Sequence, residues 1–180
     1  MNKLIAWLSI IIITIIAGYY LLNRQPIQLQ TFMTYTEPGA YSISYPVGWM
    51  REEQGRTIGS EILALYSYDY RNPEVVVDRF GPGQIKITVG ILAKSFKSFD
   101  QIVDSQFTGT KKDYREELLH INGRQAIRIS PLFKQTGGSS FRIDIYIDYT
   151  DDQYALVTGY YNGDENGAAI IRRVQESFQK

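Results

Sequence analysis

From Phe141 to Tyr149 the chain alternates without a break: Phe141, Ile143, Ile145, Ile147 and Tyr149 are separated by Arg142, Asp144, Tyr146 and Asp148. A period of two cannot lay an apolar stripe along a helix; it places every second side chain on one face of a strand. The pattern recurs along the chain. Tyr41, Ile43 and Tyr45 alternate with Ser42 and Ser44. Ile62 to Asp69 gives another strand, and Gln84 to Leu92 a third, with Ile85, Ile87, Val89 and Ile91 on one side. Tyr114 to Ile121 and Arg124 to Ser130 flank Asn122-Gly123, a dipeptide that tolerates the positive φ of a two-residue hairpin turn. Asp151-Asp152-Gln153 turns the chain into a last strand, Tyr154 to Tyr161.

Two segments carry the helical period instead. Ser98 and Gln101 have the spacing of a capping box, and Phe99, Ile102, Val103 and Phe107 follow on one stripe. A second helix is expected to start near Asp164, with Ala169, Ile170, Ile171, Val174 and Phe178 inward and Arg172 and Arg173 toward solvent. Tandem hairpins with few helices predict an α+β domain. Its mostly antiparallel sheet would be covered by α-helices in an αβα sandwich. An eight-stranded closed barrel is the alternative.

Leu4 to Leu22 is 19 residues without a charge. As a helix it would span about 28 Å, close to the hydrocarbon thickness of a bilayer. Trp7 and the Tyr19-Tyr20 pair lie near its ends, as interfacial aromatics do. The sequence reading is an N-terminal transmembrane anchor at 1–22, a polar linker at 23–38 bracketed by Pro26 and Pro38, and one domain at 39–180. A cleaved signal peptide is the rival. No small-x-small pair follows the run, and Tyr19-Tyr20 after Ala17-Gly18 fits cleavage poorly. Lys3 before the run and Arg24 after it give a slight bias toward a domain outside the cytoplasm.

Of the 19 basic residues only Lys3 precedes the run, so 18 basic residues face 19 acidic ones beyond it. A balanced domain has no broad pull on nucleic acid. The absence of Cys excludes disulfides, thiolate metal sites and a cysteine nucleophile.

The segment Tyr41-Ser-Ile-Ser-Tyr-Pro-Val-Gly-Trp49 resembles the opening of the PsbP-like domains, with Tyr45, Pro46 and Trp49 standing where that family has Tyr-Pro-x-x-Trp. A strand (84–92) leading into a short helix (99–107) is similar too. So are the turn from Gly123 to Ala126 and the pattern Val174-x-x-Ser177-Phe178 at the end. The likeness runs from Gly39 onward. The family includes a photosystem II extrinsic subunit, a Ran-binding nuclear import factor and many bacterial envelope proteins. It implies an antiparallel sheet sandwiched by helices and a non-catalytic binding or assembly role. The expected partners are the membrane, through the N-terminal helix, and a protein of a membrane complex.

No residue set names a reaction or a cofactor. His120 is the only histidine and lies in an apolar strand, without the further ligands a metal site or a Ser/His triad needs. Gly137-Gly138-Ser139-Ser140 reads as a hairpin loop. Gly81-Pro82-Gly83 precedes a strand, so it lacks the helix N-terminus that binds phosphate. Asp144, Asp148, Asp151, Asp152, Asp164 and Glu165 form the densest acidic group, a candidate for a hard cation such as calcium or for a solvated turn. Tyr66, Tyr68 and Tyr70 share a face, either packing across strands or offering a strip to a protein or glycan. Arg71, Arg79, Lys111 and Lys112 do not extend that strip into a basic patch. The function expected is therefore a membrane-anchored, extracytoplasmic binding or assembly module that is not an enzyme. The alternatives are an envelope carrier of a small apolar or sugar ligand, and a cation-dependent enzyme built on Asp148 and Asp152.

Overall fold

The alternating segment forms β8 (Phe141–Thr150), which pairs along its length with β9 (Gln153–Tyr161) at the middle of an antiparallel sheet. The structure is a computed structural model, and it describes residues 30–53, 61–72, 80–95, 98–106, 114–131 and 140–180. The other strands are β1 (Phe32–Glu37), β2 (Tyr41–Pro46), β3 (Met50–Glu53), β4 (Glu61–Tyr66), β5 (Ile85–Ala93), β6 (Tyr114–Ile121) and β7 (Arg124–Pro131). Two helices are described, α1 (Phe99–Gln106) and α2 (Glu165–Glu176). The main sheet has seven strands in the order β3-β4-β5-β9-β8-β7-β6, and β1 and β2 form a separate two-stranded sheet. Phe32–Lys180 is one structural unit.

Local sequence explains the element ends. Asn122 (φ 50°) and Gly123 (φ 81°) turn β6 into β7, as expected for a two-residue loop whose twist matches its strands. The side chain of Asp164 caps α2, accepting from the Gly167 amide at 2.6 Å. Gly159 lets α2 lie close on β9, because a Cβ there would meet the Ile171 side chain at 2.3 Å. Ile171 and Val174 of α2 are buried, Arg172 and Arg173 are exposed, and Ala169, expected inside, is exposed.

The two faces of the sheet are filled differently. One packs Leu63, Ile87, Val89, Ile145, Ile147 and Val157 against Tyr35, Tyr41, Ile43 and Tyr45 of the β1–β2 hairpin and against Ile171 and Val174 of α2. On the other, Ile102 and Phe99 of α1 pack on Tyr114, Ile127, Ile129, Tyr146 and Tyr154.

This corrects the expected fold class. The described chain is mostly antiparallel β-sheet and not an αβα sandwich. A hairpin shares one covering layer with the 12-residue α2, and the 8-residue α1 is too short to cover the other face. The physical reason is β1, which lies within the polar 23–38 stretch and pairs with β2 from Phe32↔Pro46 to Glu37↔Tyr41. Nor is the sheet a closed barrel, since β3 and β6 are its two ends. A preceding transmembrane helix is likewise not part of this fold: among the described residues no helix is long and apolar enough to cross a membrane. The run Leu4–Leu22, expected to be that helix, lies outside the described residues.

The hairpin layer and the sheet meet at Phe178, which is 1% exposed and packs on Tyr41 (5.4 Å between ring centroids) and Tyr149 (6.2 Å). Phe178→Ala is expected to cost about 3–5 kcal/mol, the range for truncating a buried aromatic. Urea unfolding checks this. Because one side chain joins both layers, near-UV and far-UV signals should move to lower urea together.

Candidate functional site

Lys94, directly after β5, is anchored by its backbone, whose N–H donates to the Asp152 carbonyl at 2.8 Å in the β8–β9 turn. That bond draws the end of β5 toward the turn and sets Lys94 beside Asp148 and Tyr154. The ammonium pairs with the Asp148 carboxylate and lies 5.0 Å from the centroid of the Tyr154 ring. Phe99, the first residue of α1, also packs on Tyr154, 5.7 Å between ring centroids. Together with Leu118 and His120 of β6 these residues line a groove of about 760 Å³ between α1 and the sheet. Burial raises the Tyr154 phenol; the Lys94 charge opposes the shift and Asp148 adds to it. Three carboxylates, Asp100, Asp148 and Asp151, border the groove against one ammonium, Lys94. The arrangement suits binding: an aromatic wall, an ion pair and an acidic rim.

The acidic group singled out in the sequence does not converge. Asp144 is 1% exposed and held by the Arg142 guanidinium (Nε to carboxylate, 2.8 Å) and by the Thr158 hydroxyl, which donates at 2.7 Å. Asp148 pairs with Lys94, and Asp152 accepts from the Thr150 hydroxyl at 2.6 Å. Asp164 caps α2, Glu165 lies in its first turn, and Asp151 is exposed in the β8–β9 turn. Among the described residues no group of three or more His, Asp or Glu is placed to hold a metal ion.

The tyrosines pack mainly on one another. Tyr70 stacks on Tyr66 at 4.3 Å, Tyr68 meets Tyr66 edge-on at 5.7 Å, and the Tyr66 hydroxyl donates to Glu52 at 3.0 Å. Lys86 lies between the rings of Tyr66 and Tyr160, 5.8 and 5.9 Å from their centroids. Arg71 sits against Tyr70. Arg79, Lys111, Lys112 and Gly137 to Ser139 lie outside the described residues. Gly81-Pro82-Gly83 is a turn closed by the Gln84 amide donating to the Gly81 carbonyl (3.1 Å), leading into β5.

Sequence reasoning missed Lys94 and Phe99 as partners of Tyr154, and it missed Arg128. Arg128 is a buried cation, 3% exposed, whose guanidinium reaches Glu117 (3.1 Å), Glu176 (2.6 Å) and the Gln175 side-chain oxygen (3.1 Å). The signal available was an arginine inside the apolar run Ala126-Ile-Arg-Ile129.

Burial raises the Asp144 carboxyl above its ordinary 3.8, outweighing Arg142 and the Thr158 hydroxyl. The folded protein therefore binds this proton more tightly than the unfolded chain. The stability it contributes is full below 3.8 and is lost as pH rises through the raised folded value. Asp144→Asn removes this dependence. Urea midpoints of both proteins, measured from about pH 3.5 to about pH 7, should show the native chain losing stability relative to the variant. The opposite drift would mean that the Arg142 pair dominates.

No protein-family model matches the sequence, and no curated protein sequence is similar to it. Among solved structures the chain is similar to the Saccharomyces cerevisiae Ran-binding protein Mog1p. There the TM-score is 0.50 with 12% identity, covering 83% of this chain and 95% of that one. A Bacteroides thetaiotaomicron protein is matched with a TM-score of 0.46 and 16% identity, over 81% of this chain and 47% of that one. The first likeness shows that this chain has a fold of the Mog1p kind.

Proposed function

We propose that this chain is a non-catalytic protein-binding module of the PsbP-like type, which presents the groove around Tyr154 to a partner. The observation that carries this is the shared fold with a Ran-binding protein over nearly that protein's full length. Two features of the chain support it. The acids Asp144, Asp148, Asp152 and Asp164 each hold a structural contact and do not converge on one point. The groove joins aromatic rings to a charged rim, a mixture typical of a surface that recognises protein.

Localisation enters the same reading. The uncharged run Leu4–Leu22 would hold the chain in a membrane by a single pass, and Lys3 ahead of it favours a domain outside the cytoplasm. The partner would then belong to a complex in that membrane. In cells, the full chain should stay in the membrane pellet through a high-pH wash, and protease added to intact cells or spheroplasts should digest the domain. Release by the wash, or an uncut domain, sinks this part.

The binding role is tested by cross-linking a tagged full chain in cells, followed by purification in detergent and mass spectrometry. One stoichiometric protein is expected. Reversing the charge of the exposed rim residues, Asp100→Lys with Asp151→Lys, should reduce its recovery at least about tenfold while leaving the urea midpoint within ~0.5 kcal/mol of the parent. Recovery unchanged by the reversal would place the interface elsewhere. No enriched protein would favour a second reading, carriage of a small apolar or sugar ligand. The groove volume of about 760 Å³ lies in the range of small-ligand sites. Native mass spectrometry of the full chain would then show a bound adduct.

A further inference from the structure

The main sheet ends at β3 on one side and β6 on the other, and the two edges are protected to different degrees. β3 has only 4 residues and carries Arg51 paired with Glu53 at 3.1 Å, with Arg51 over the Tyr35 ring at 4.7 Å. Short, charged edges of this kind resist pairing with another chain. β6 has 8 residues, twice as many, and at its centre Leu118 is 75% exposed, the highest exposure among the large apolar side chains described. No described strand lies beyond it.

The hairpin fixes which backbone groups of β6 face outward. In a two-residue loop the flanking residues form a hydrogen-bonded pair, here Ile121↔Arg124. Such pairs then recur at every second residue. Ile121, Leu119, Glu117 and Arg115 therefore direct their N–H and C=O groups to β7. Glu116, Leu118 and His120 direct theirs away from it, and all three side chains are exposed.

We propose that this edge pairs with β6 of a second copy, antiparallel about a two-fold axis through Leu118. In that register Leu118 faces Leu118, and Glu116 faces His120 twice. Each of these residues is an outward-bonding one, so the backbone groups of both strands match. The pairing covers the exposed leucines and sets a carboxylate acceptor opposite an imidazole donor at both ends. A shift by two residues places Glu116 opposite Leu118 and loses both complementarities. A shift by one opposes inward-bonding residues to outward-bonding ones. The same chemistry that leaves the edge open thus selects one register and a second copy of this chain as its occupant. The pairing extends the sheet at the β6 wall of the groove, where Leu118 and His120 lie. An interface of one strand pair is small, of the transient class.

The chain has no cysteine, so single substitutions report the register directly. In the hydrogen-bonded pair Leu118↔Leu118 the Cα atoms would be about 5.5 Å apart, within reach of a disulfide. Two His120 residues would lie about 14 Å apart along the strands at ~3.4 Å per residue, out of reach. The test uses the full chain in detergent with a mild oxidant, read on non-reducing gels. Leu118→Cys is expected to give a disulfide-linked dimer and His120→Cys alone none. A mixture of Glu116→Cys with His120→Cys should give a heterodimer. Leu118 is exposed, so its variant keeps the parent's far-UV spectrum and urea midpoint. A monomeric Leu118→Cys chain overturns the proposal, as does a His120→Cys homodimer. So does capture of a different protein by Leu118→Cys in cells, because the edge would then belong to another partner. Leu118 and His120 border the groove as well as the edge, so the rim reversals at Asp100 and Asp151 serve as the control: the Leu118→Cys dimer should form equally in that background.

Discussion

The β1–β2 hairpin shares no strand ladder with the seven-stranded sheet, so its place in the fold depends on the segment after α2. That segment bonds to the hairpin and to the sheet at once. The Gln179 amide donates to the Ser42 carbonyl at 2.9 Å, and the Ser42 amide donates to the Gln179 carbonyl at 2.7 Å. Ser177 caps α2, accepts from the Ser44 amide at 2.8 Å and donates toward the Ser44 carbonyl at 3.2 Å. From the sheet side, Asn122 of the β6–β7 turn donates to the Phe178 carbonyl at 2.6 Å, and the Tyr149 hydroxyl donates to the Ala40 carbonyl at 3.0 Å. Phe178 fills the space these bonds enclose. Polar contacts fix the segment and apolar contacts supply most of its free energy; a fully buried phenylalanine contributes about 1.5–3 kcal/mol by burial alone.

The same helix settles a problem inside the covered face. Arg128 points into an apolar layer, where an unpaired guanidinium would be costly. Gln175 of α2 accepts from it and donates through Nε2 to the carbonyls of Ile143 and Val157, both at 3.0 Å. Glu117 and Glu176 meet its remaining nitrogens where the core opens to solvent. An apolar residue in place of Gln175 would leave three buried groups short of a partner. The network therefore orients α2 on the sheet and specifies one docking more than it adds net stability. On the opposite face Asp144, Arg142 and Thr158 form a smaller set, and burial there, with the Asp144 charge adding, pushes the Tyr146 phenol up to about 12.

Much of this was legible because it is local. The alternation from Tyr41, Gln84, Phe141 and Tyr154 named four strands, Asn122-Gly123 gave the hairpin, and Asp164 marked the start of α2. Phe178 reads as part of the helix's apolar stripe, but α2 stops at Glu176 and Phe178 lies beyond it. The failures are non-local. β1 and β3 read as polar sequence because β1 buries only Tyr35 and β3 buries no residue. A strand so weakly patterned is formed by its partner, not by its own propensity. The αβα sandwich fails with it, since the β1–β2 hairpin takes a share of the covering layer that the expectation gave to helices alone. The acidic group looked dense in sequence, yet alternation sends its members to different faces and turns. The groove went unseen for the converse reason: Lys94 follows β5, Phe99, Leu118 and Tyr154 come from three other elements, and all four meet only after the sheet has ordered them.

These constraints narrow where recognition can occur. The segment after α2 and the Gln175–Arg128 network close one face of the sheet, so a partner there would have to displace the hairpin and expose the main core. Across the other face, α1 covers the β7–β9 side through Ile102 and Phe99, while the tyrosines near β4 turn their rings mostly on one another. Among the described surfaces this leaves the groove at the end of α1 and the β6 edge beside it. At the groove β8 shifts register between Asp148 and Thr150, and the Lys94 amide is tied to Asp152 across that turn. Asp148 stays paired with Tyr154 in the ladder, and the irregularity follows it, leading into the turn that carries Asp151. The one defect in the central hairpin thus lies beside charge and an aromatic wall, at the part of the domain its own core does not need.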